Sequence, residues 1–368
     1  MKKTLVAIAA AAAVTGAFAE VTISGNIDQA ITNIKSSQAG NDYSNSTGLM
    51  AVSTPSWITF AGSEDLGNGL KASFKLENGL GINGANLLAA NAATAGTNSN
   101  WNNVSSSNRE AWVGLSGDMG NLQVGFQYAP LFNTAVGTDP NGANNVAGWS
   151  PFSVIFGNGG GQNLNAVTYT SPNMNGFSAQ IQQVYGTNDT DNMAGTAVNA
   201  GDAIGWSINY SSGALTAGYA EHQAALSGAA GFLHGPTTVV DTAAAATSTN
   251  GALGSDGDKI KTSVAAVTYD VGAAKLTYLY TKASLNDENV RVDTYGVVIP
   301  LGATSLNYSY STGKTKAAAG DVSFNGQQFG AYYSFSKRTT GYLSYNTSKD
   351  TTNDDSITSV GLGIRHSF

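Results

Sequence analysis

The chain has 368 residues, of which 11% are charged and 42% hydrophobic, and its 17 basic and 24 acidic residues give a formal net charge of −7. It contains no cysteine, which excludes disulfide bonds, thiolate metal sites and cysteine nucleophiles. So few charges, together with 45 glycines and 16 tyrosines, are unusual in a soluble globular domain. They suit a wall whose residues alternate between lipid and water. An extracellular β-sandwich or adhesin is the alternative that composition leaves open.

The first 19 residues are predicted to be a cleaved secretory signal peptide. Lys2-Lys3 form a short basic region, residues 5–14 are apolar, and Ala17-Phe18-Ala19 has the small-x-small pattern of a signal-peptidase site. No later stretch has the roughly 18 consecutive apolar residues that a membrane helix needs. The mature chain would begin at Glu20, with 15 basic and 24 acidic residues and a net charge of −9.

After Glu20, apolar and polar residues alternate in short segments separated by turn signals, which predicts β-strands. One of the clearest has Leu70, Ala72, Phe74 and Leu76 on one face and Lys71, Ser73, Lys75 and Glu77 on the other. The alternation recurs, in chain order, at residues 21–27, 58–61, 70–77, 111–115, 122–126, 167–169, 177–181, 204–210, 215–219, 265–269, 276–280, 295–299, 306–310, 329–335, 343–345 and 359–368.

These segments number sixteen, and short turns alternate strictly with long loops along the chain. The long loops are predicted at about 32–55, 78–108, 129–163, 186–202, 223–260, 284–290, 312–326 and 348–356. An even strand number with short turns at one rim and long loops at the other is typical of bacterial outer-membrane barrels. Only a closed barrel pairs every backbone polar group in lipid. We therefore predict an all-β fold, in which residues 20–368 form one transmembrane antiparallel β-barrel of sixteen strands.

The last predicted strand runs to the final residue of the chain. Val360, Leu362, Ile364 and Phe368 share one face, and small polar residues with Arg365 share the other. A strand that is apolar on one side and polar on the other to its last residue is typical of the closing strand of a membrane barrel.

Several sequence pieces carry a family resemblance. Residues 62–71, Gly-Ser-Glu-Asp-Leu-Gly-Asn-Gly-Leu-Lys, resemble the stretch that joins the second and third strands in the trimeric general porins of beta-proteobacteria and Neisseria. The other matching pieces, which follow the family order, are residues 109–115, 125–131, 169–172, 336–339 and 363–368. Because the pieces are spread from end to end, the resemblance covers the whole mature chain.

The resemblance implies a sixteen-stranded homotrimeric barrel in the outer membrane, in contact with its lipid and lipopolysaccharide, that passes ions and small hydrophilic solutes. It also implies that the third long loop, residues 129–163, folds inward and narrows the channel, and that the barrel-assembly machinery reads Phe368. Asp139 is the only ionised residue of this loop, and four glycines within residues 157–161 would let its backbone bend. A loop that stays at the surface is the alternative.

The alternation of faces along each predicted strand indicates which charged residues would line the pore. The predicted lumenal cations are Lys71, Lys75, Lys275 and Arg365, with Glu77 and Asp28 as counter-charges. Arg109 is ambiguous, since phase places it outside with Ala111 while its charge favours water. Family members often carry basic residues on the early strands and near the third loop, where this chain has Trp57, Ala61, Phe126 and Thr168.

Fewer cations near the constriction predict a general diffusion channel that is near-neutral or weakly cation-preferring, because fixed charge at the narrowest point sets the selectivity of a wide pore. Acidic residues in the long loops would also attract cations, although keeping the loops solvated is their simpler role. A channel specific for sugars or phosphorylated solutes is one alternative. A sugar channel needs a row of aromatic residues along the lumen, and a phosphate channel needs a row of arginines or lysines. Neither row is visible on the predicted inward faces. A non-conducting structural or adhesive barrel is another.

No catalytic, cofactor or metal site is predicted. The three histidines, His222, His234 and His366, lack metal-site spacing. Asp256-Gly257-Asp258 and Asp354-Asp355 could contact divalent ions but lack a complete calcium-loop pattern. We expect no nucleic-acid partner and no enzymatic activity, with an enzyme built on a barrel as the remaining alternative.

Overall fold

The structure, a computed structural model, describes residues 20–38, 41–50, 54–80, 108–141, 152, 154–155, 160–186, 202–225, 231–232, 253–254, 258–316, 320–352 and 354–368. The predicted signal peptide, residues 1–19, lies outside this part of the chain. Within it, no helix is long and apolar enough to cross a membrane.

The described residues are almost entirely β-strand. The strands are β1 (Glu20–Gln38), β2 (Asn41–Met50), β3 (Trp57–Gly67), β4 (Leu70–Gly79), β5 (Asn108–Gly117), β6 (Gly120–Tyr128), β7 (Gln162–Thr170), β8 (Phe177–Val184), β9 (Ala203–Ser212), β10 (Leu215–Ala225), β11 (Gly231–Phe232), β12 (Leu253–Gly254), β13 (Lys259–Asp270), β14 (Lys275–Leu285), β15 (Glu288–Leu301), β16 (Thr304–Lys316), β17 (Val322–Ser334), β18 (Thr339–Asp350) and β19 (Asp355–Ser367). One short helix, α1 (Pro130–Ala135), follows β6.

The sheet closes on itself because β1 is paired along both edges. One edge pairs with β19, from Asn26 opposite Ser367 to Ser36 opposite Ile357. The other edge pairs first with β3 and then with β2, all antiparallel. β2 and β3 thus act as a single wall strand, and the wall has sixteen strands, as predicted. β11 and β12 form a separate two-stranded hairpin.

The two faces of the wall differ in the way that the alternating sequence predicts. Large apolar side chains project outward at every second position, and Ile31, Val113 and Leu362 are 60%, 59% and 64% exposed. Between them lie inward-facing polar side chains that are buried in the barrel interior, such as Thr32, Gln182 and Ser207. An exposed apolar band around a polar interior is the pattern of a barrel that lipid surrounds.

The seam of the barrel lies between β1 and β19, and it extends to the last residue, Phe368. The backbone N–H groups of Gly25 and Phe368 each donate to the carbonyl of the other, both at 3.0 Å. The Phe368 ring lies so close over Gly25 that a Cβ at that position would collide with it and with the Trp57 carbonyl oxygen. The ladder is therefore paired to the end of the chain, and the terminal ring covers it.

At the rim that carries the long loops, several strands are longer than predicted. β1 ends at Gln38 and β2 begins at Asn41, so a hairpin occupies most of the predicted first loop. The predicted 284–290 loop is a two-residue turn between Leu285 and Glu288. These extensions are rich in Ser, Thr, Lys and Asn, so they continue the hydrogen-bonded ladder without the apolar alternation by which a strand is read from sequence.

The height of the wall varies around the barrel. β6, β7 and β8 have only 9, 9 and 8 residues, whereas β15, β16 and β17 have 14, 13 and 13. The segment that follows β6 therefore starts from the low side of the rim.

Candidate pore constriction

A network of four ionised side chains lies on the inner face of β4 and β5. Glu77 accepts from Lys75 Nζ at 3.0 Å and from Arg109 Nε at 2.7 Å, and the Lys75 ammonium also binds Glu110. The Thr59 hydroxyl donates a further hydrogen bond of 2.9 Å to Glu77. Two cations and two carboxylates are thus joined in one network with no net charge.

The structure resolves the ambiguous face of Arg109 through a β-bulge. Glu77 lies opposite Glu110 and Asn78 lies opposite Asn108, which leaves Arg109 as an extra residue in β5. A bulge breaks the alternation of faces, so consecutive side chains can point to the same side. Arg109 and Glu110 therefore both reach Glu77 or Lys75 on the inner face, while Val113, further along β5, points outward.

Aromatic rings connect this network to the segment that follows β6. The Arg109 guanidinium lies over the Trp57 ring at 4.9 Å and over the Tyr128 ring at 5.9 Å. Tyr128 stacks on Phe132 of α1 with a centroid separation of 4.5 Å, and Phe132 packs edge-on against Phe152. Cation–π contacts and ring stacking thus join the charged wall to α1.

Helix α1 packs against inward-facing residues of the wall. Proline at the first helical position has the backbone angle that a helix start requires. Leu131 and Ala135, four residues apart on one helix face, are both fully buried. They belong to an apolar cluster with Ala220, Val264, Ala266 and Leu279 of β10, β13 and β14. On the same helix, the Thr134 hydroxyl bonds Asn209 of β9 at 3.1 Å.

Beyond α1, the chain reaches the inner face of β15–β17. The Pro140 carbonyl accepts from Asn307, and Asn141 donates to the Ser309 hydroxyl at 3.4 Å. The Tyr332 hydroxyl bonds the Asn141 side chain at 3.4 Å. Residues 129–141 therefore run along the inside of the barrel, from β6 across β9–β14 to β15–β17.

Asp139 lies in this inner segment and is half-buried. One of its carboxylate oxygens accepts the Asn141 backbone N–H at 2.8 Å. The ion network is on the third and fourth strands of the sixteen-stranded wall, whereas Pro140 and Asn141, which follow Asp139, bond the thirteenth and fourteenth. The carboxylate and the network thus occupy different sides of the barrel interior.

Hydrogen bonds also fix the two ends of the predicted third loop. The Ala129 N–H donates to the Gly161 carbonyl at 2.8 Å, which holds these two residues together at the wall. Gln162 donates to the Arg109 carbonyl at 2.6 Å. Gly160 lies against Leu131, where a side chain would be crowded. Gly157 and Gly159, which were predicted to let the loop backbone bend, lie outside the described residues.

The remaining predicted site residues lie toward the rim of short turns. Lys71 is beside the β3–β4 turn, and Lys275 lies opposite Asp270 beside the β13–β14 turn. Arg365 lies opposite Asp28 across the seam. The Asp28 carboxylate accepts from the Tyr342 hydroxyl at 2.5 Å and from the Thr54 backbone N–H at 3.1 Å.

Sequence reasoning missed Glu110, which belongs to the network, and Tyr128, which contacts it. Glu110 was read only as part of a family motif, although it binds Lys75, and Trp112 donates to it at 3.1 Å. Tyr128 was not singled out, because its contact with Arg109 requires the bulge in β5. Strand phase alone places Arg109 outside with Ala111, so nothing in the sequence indicated a contact between Arg109 and Tyr128.

Comparisons with known proteins agree with this architecture. A family model described as Gram-negative porin matches residues 4–354. The chain is 28% identical over 398 residues to the major outer membrane protein P.IB of Neisseria gonorrhoeae, covering 100% of each. It is 26% identical over 400 residues to the outer membrane porin protein 32 of Delftia acidovorans, again covering 100% of each. The anion-selective porin from Comamonas acidovorans has a TM-score of 0.73 at 23% identity, covering 95% of this chain and 100% of that chain.

Replacing Leu131 by Asp should detach α1 from the wall and raise single-channel conductance. A carboxylate in this dry apolar cluster would cost several kcal/mol, which exceeds what one short helix gains from its remaining contacts. The measurement is planar-bilayer conductance, with limited proteolysis of residues 130–160 as a second readout. Asn133→Asp is the matched control, since it adds the same charge on the exposed side of the helix. Wild-type conductance and protease resistance in Leu131→Asp would contradict this packing role.

Proposed function

This chain belongs to the Gram-negative porin family, and we propose that its channel is nearly neutral, with at most a weak preference for cations. The family match confirms the resemblance that the sequence motifs carry. The protein is an outer-membrane diffusion porin, a passive channel through a β-barrel. Membership of this family implies a channel and not an enzyme.

The observation that carries the proposal is the neutrality of the ion network. Lys75 and Arg109 would attract anions on their own, but Glu77 and Glu110 bind both of them directly. Paired charges this close produce little net field at a distance, particularly in salt water with a screening length of about 8 Å. The solved relative from Comamonas is described as anion-selective. The compensated cations support a different balance in this chain.

The inner segment supplies the rest of the proposed constriction. We propose that residues 129–141 narrow the channel against the network on β4 and β5, with Asp139 as the one ionised side chain of the described inner segment. A carboxylate on one side of the lumen and a neutral cluster on the other would favour polar solutes and, slightly, cations. Lys71, Lys275 and Arg365, near the rim of short turns, would then act on solutes only at the mouth.

Two double variants, each of which removes the charges of one sign from the network, should shift selectivity in opposite directions. Glu77→Gln with Glu110→Gln leaves two uncompensated cations and should move the reversal potential in a KCl gradient to the anion side. Lys75→Gln with Arg109→Gln should move it to the cation side. We expect about a twofold change in permeability ratio each way, because charges near the channel act through screened water.

The matched control is Lys337→Gln with Arg338→Gln, which removes two cations from the β17–β18 turn. It should leave the reversal potential near the wild-type value. Heat-modifiable migration on gels verifies that each variant is a folded barrel. Absence of a shift in both network variants, with folded protein, would contradict the assigned constriction.

We also propose that three copies assemble through one side of the wall. The large apolar side chains on the outward faces of β19, β1 and β3–β6 are aliphatic residues and phenylalanines. Among their described residues, none of the outward side chains is Tyr or Trp. The rest of the wall carries outward rings such as Tyr169, Trp206, Tyr219, Tyr269, Tyr295, Tyr308 and Tyr333. Tyr and Trp gather where a wall meets the lipid–water interface. We call this side of the wall, formed by β19, β1 and β3 to β6, the aliphatic arc. We therefore propose that the aliphatic arc contacts the other copies.

A charge in the aliphatic arc should dissociate the trimer. Val113→Lys places an ammonium at a side chain that is 59% exposed in one copy and would be covered by its neighbour. An unpaired charge in such an interface should lower the trimer population more than about tenfold. Ile208→Lys, at a 52% exposed position of β9, is the control. Native mass spectrometry in detergent measures the trimer fraction of each variant. An equal trimer fraction in Val113→Lys and Ile208→Lys would refute this interface.

For biogenesis, we propose export by the signal peptide and recognition of the carboxy-terminal aromatic residue by the assembly machinery. The Phe368 ring is 42% exposed on the outer wall. Deleting Phe368 should lower the amount of folded barrel in the outer membrane, while the exported chain still begins at Glu20. Amino-terminal sequencing and heat-modifiable migration measure the two effects separately. If the mature chain begins at a residue other than Glu20, the proposed signal peptide is wrong. If the chain without Phe368 assembles normally, the proposed role of Phe368 is wrong.

A further inference from the structure

A fully buried glutamine lies on the inner face of the wall, close to the place where the inner segment begins. Gln182 is on β8, opposite Thr168 of β7 and Gly205 of β9, and its side chain is shielded from solvent. An amide carries two donor N–H groups and an acceptor oxygen, and burying it without partners is costly. Its hydrogen-bond partners therefore indicate why a glutamine stands at this position.

Two of its three hydrogen bonds reach the strands on either side of the third long loop. Gln182 Nε2 donates to the Tyr128 carbonyl at 3.1 Å, and its Oε1 accepts from Asn163 Nδ2 at 2.8 Å. Tyr128 is the last residue of β6, and Asn163 is the second residue of β7. The third bond, from Nε2 to the Thr168 hydroxyl at 2.9 Å, stays within the wall. One side chain thus holds the chain where it leaves the wall and where it joins the wall again.

The backbone ladder is irregular at this place. Between β6 and β7 the register shifts between Gly125 and Gln127. Between β7 and β8 the last pair of the ladder is Ala166 opposite Val184, so the ladder stops before it reaches Asn163. Where a ladder shifts or stops, the backbone bonds no longer fix the end of a strand, and side chains have to do so. The buried amide supplies such contacts to both β6 and β7.

Tyr128 connects the amide to the proposed constriction. Its carbonyl is bonded to Gln182, and its ring stacks on Phe132 of α1 with the centroids 4.5 Å apart. The Arg109 guanidinium, which belongs to the ion network, lies 5.9 Å from the centroid of the same ring. A displacement of the Tyr128 backbone would therefore move α1 and disturb the ring beside the ion network at the same time.

A second buried glutamine on the inner face lacks comparable bonds. Gln328 of β17 is 4% exposed, and its amide oxygen has no hydrogen-bond partner within the described part of the chain. Burial in this wall therefore does not by itself supply a glutamine with a full set of partners. The bonds from Gln182 to Tyr128 and Asn163 are particular to the place where the chain leaves the wall after β6 and joins it again at β7.

We propose that Gln182 is a positioning residue of the channel, whose amide fixes the start of the inner segment relative to the wall. The inference rests on the proposed function, since the position of residues 129–141 matters to conduction only if they narrow the lumen. Without the amide, the Tyr128 carbonyl and the Asn163 side chain lose a buried partner. Helix α1 should then leave the wall more often, while the sixteen strands stay paired.

The experiment measures how often α1 leaves the wall in full-length mature protein in detergent. The chain has no cysteine, so Ala135→Cys introduces a single thiol at a fully buried position of α1. A water-soluble maleimide reaches this thiol only while the helix is undocked, so the reaction rate follows the undocked population. Gln182→Met keeps the approximate volume of the side chain and removes its hydrogen bonds, and it should speed the reaction about tenfold.

Three further variants complete the experiment. Gln328→Met also replaces a buried inward glutamine but leaves the bonds to β6 and β7 intact, so the rate should not change. The thiol of Asn133→Cys, on the exposed side of α1, should react at one rate with and without Gln182→Met. Asn163→Leu removes only one of the two bonds and should speed the reaction at the buried thiol about threefold. Heat-modifiable migration on gels verifies that each variant is a folded barrel.

A faster reaction in Gln182→Met but not in Gln328→Met supports the positioning role. Unchanged rates in folded Gln182→Met or Asn163→Leu would overturn it. Equal acceleration by Gln328→Met would overturn it too, because it would indicate a general loosening of the wall.

Single-channel recording separates this inference from the proposed function. If α1 undocks more often, the current through Gln182→Met should fluctuate more than the wild-type current. A faster thiol reaction with wild-type current and current noise would support the hold of Gln182 on α1. The same result would count against residues 129–141 as the constriction.

Discussion

Hydrogen bonding of the backbone in hydrocarbon is the interaction on which this structure depends. Each peptide group left unpaired in lipid costs several kcal/mol, so the sheet has to close. Closure forces the two edges of β1 to be filled, by β19 on one side and by β3 and β2 on the other. It also fixes the alternation of side chains, which gives the wall one face for lipid and another for the lumen.

The inner face itself carries two kinds of surface. Where water fills the channel, the wall presents Ser, Thr, Asn and Gln. Beneath α1 it presents Ala220, Val264 and Leu279, which the helix covers. These apolar residues would be poor lining for a water-filled pore, so they make sense only together with Leu131 and Ala135. Wall and inner segment therefore depend on each other, and the ring stack from Arg109 to Phe132 ties the charged site to that packing.

Much of this was readable from sequence, because lipid and water impose a period of two on any strand between them. The outward face of β4 and the inward faces of Lys75 and Glu77 followed directly. Arg109 did not, since a bulge depends on the register with the neighbouring strand and leaves no local signal. Alternation located β13 and β14 at residues 265–269 and 276–280, but it gave no sign that α1 would pack on their inward apolar residues Val264, Ala266 and Leu279. The polar upper ends of β15–β18 lacked the apolar signal altogether.

The seam has a consequence for the order in which the molecule can be made. Its bonds join residues more than 300 positions apart, as between Asn26 and Ser367, which are separated by 341. β1 is among the first segments to leave the ribosome, yet one of its edges has no partner until the final residues arrive. During synthesis and export β1 thus has one edge of unpaired backbone N–H and C=O groups, which invites pairing with other chains. Contacts between residues so far apart in sequence also form slowly. The topology therefore requires that the unfolded chain be kept from aggregating until the barrel closes.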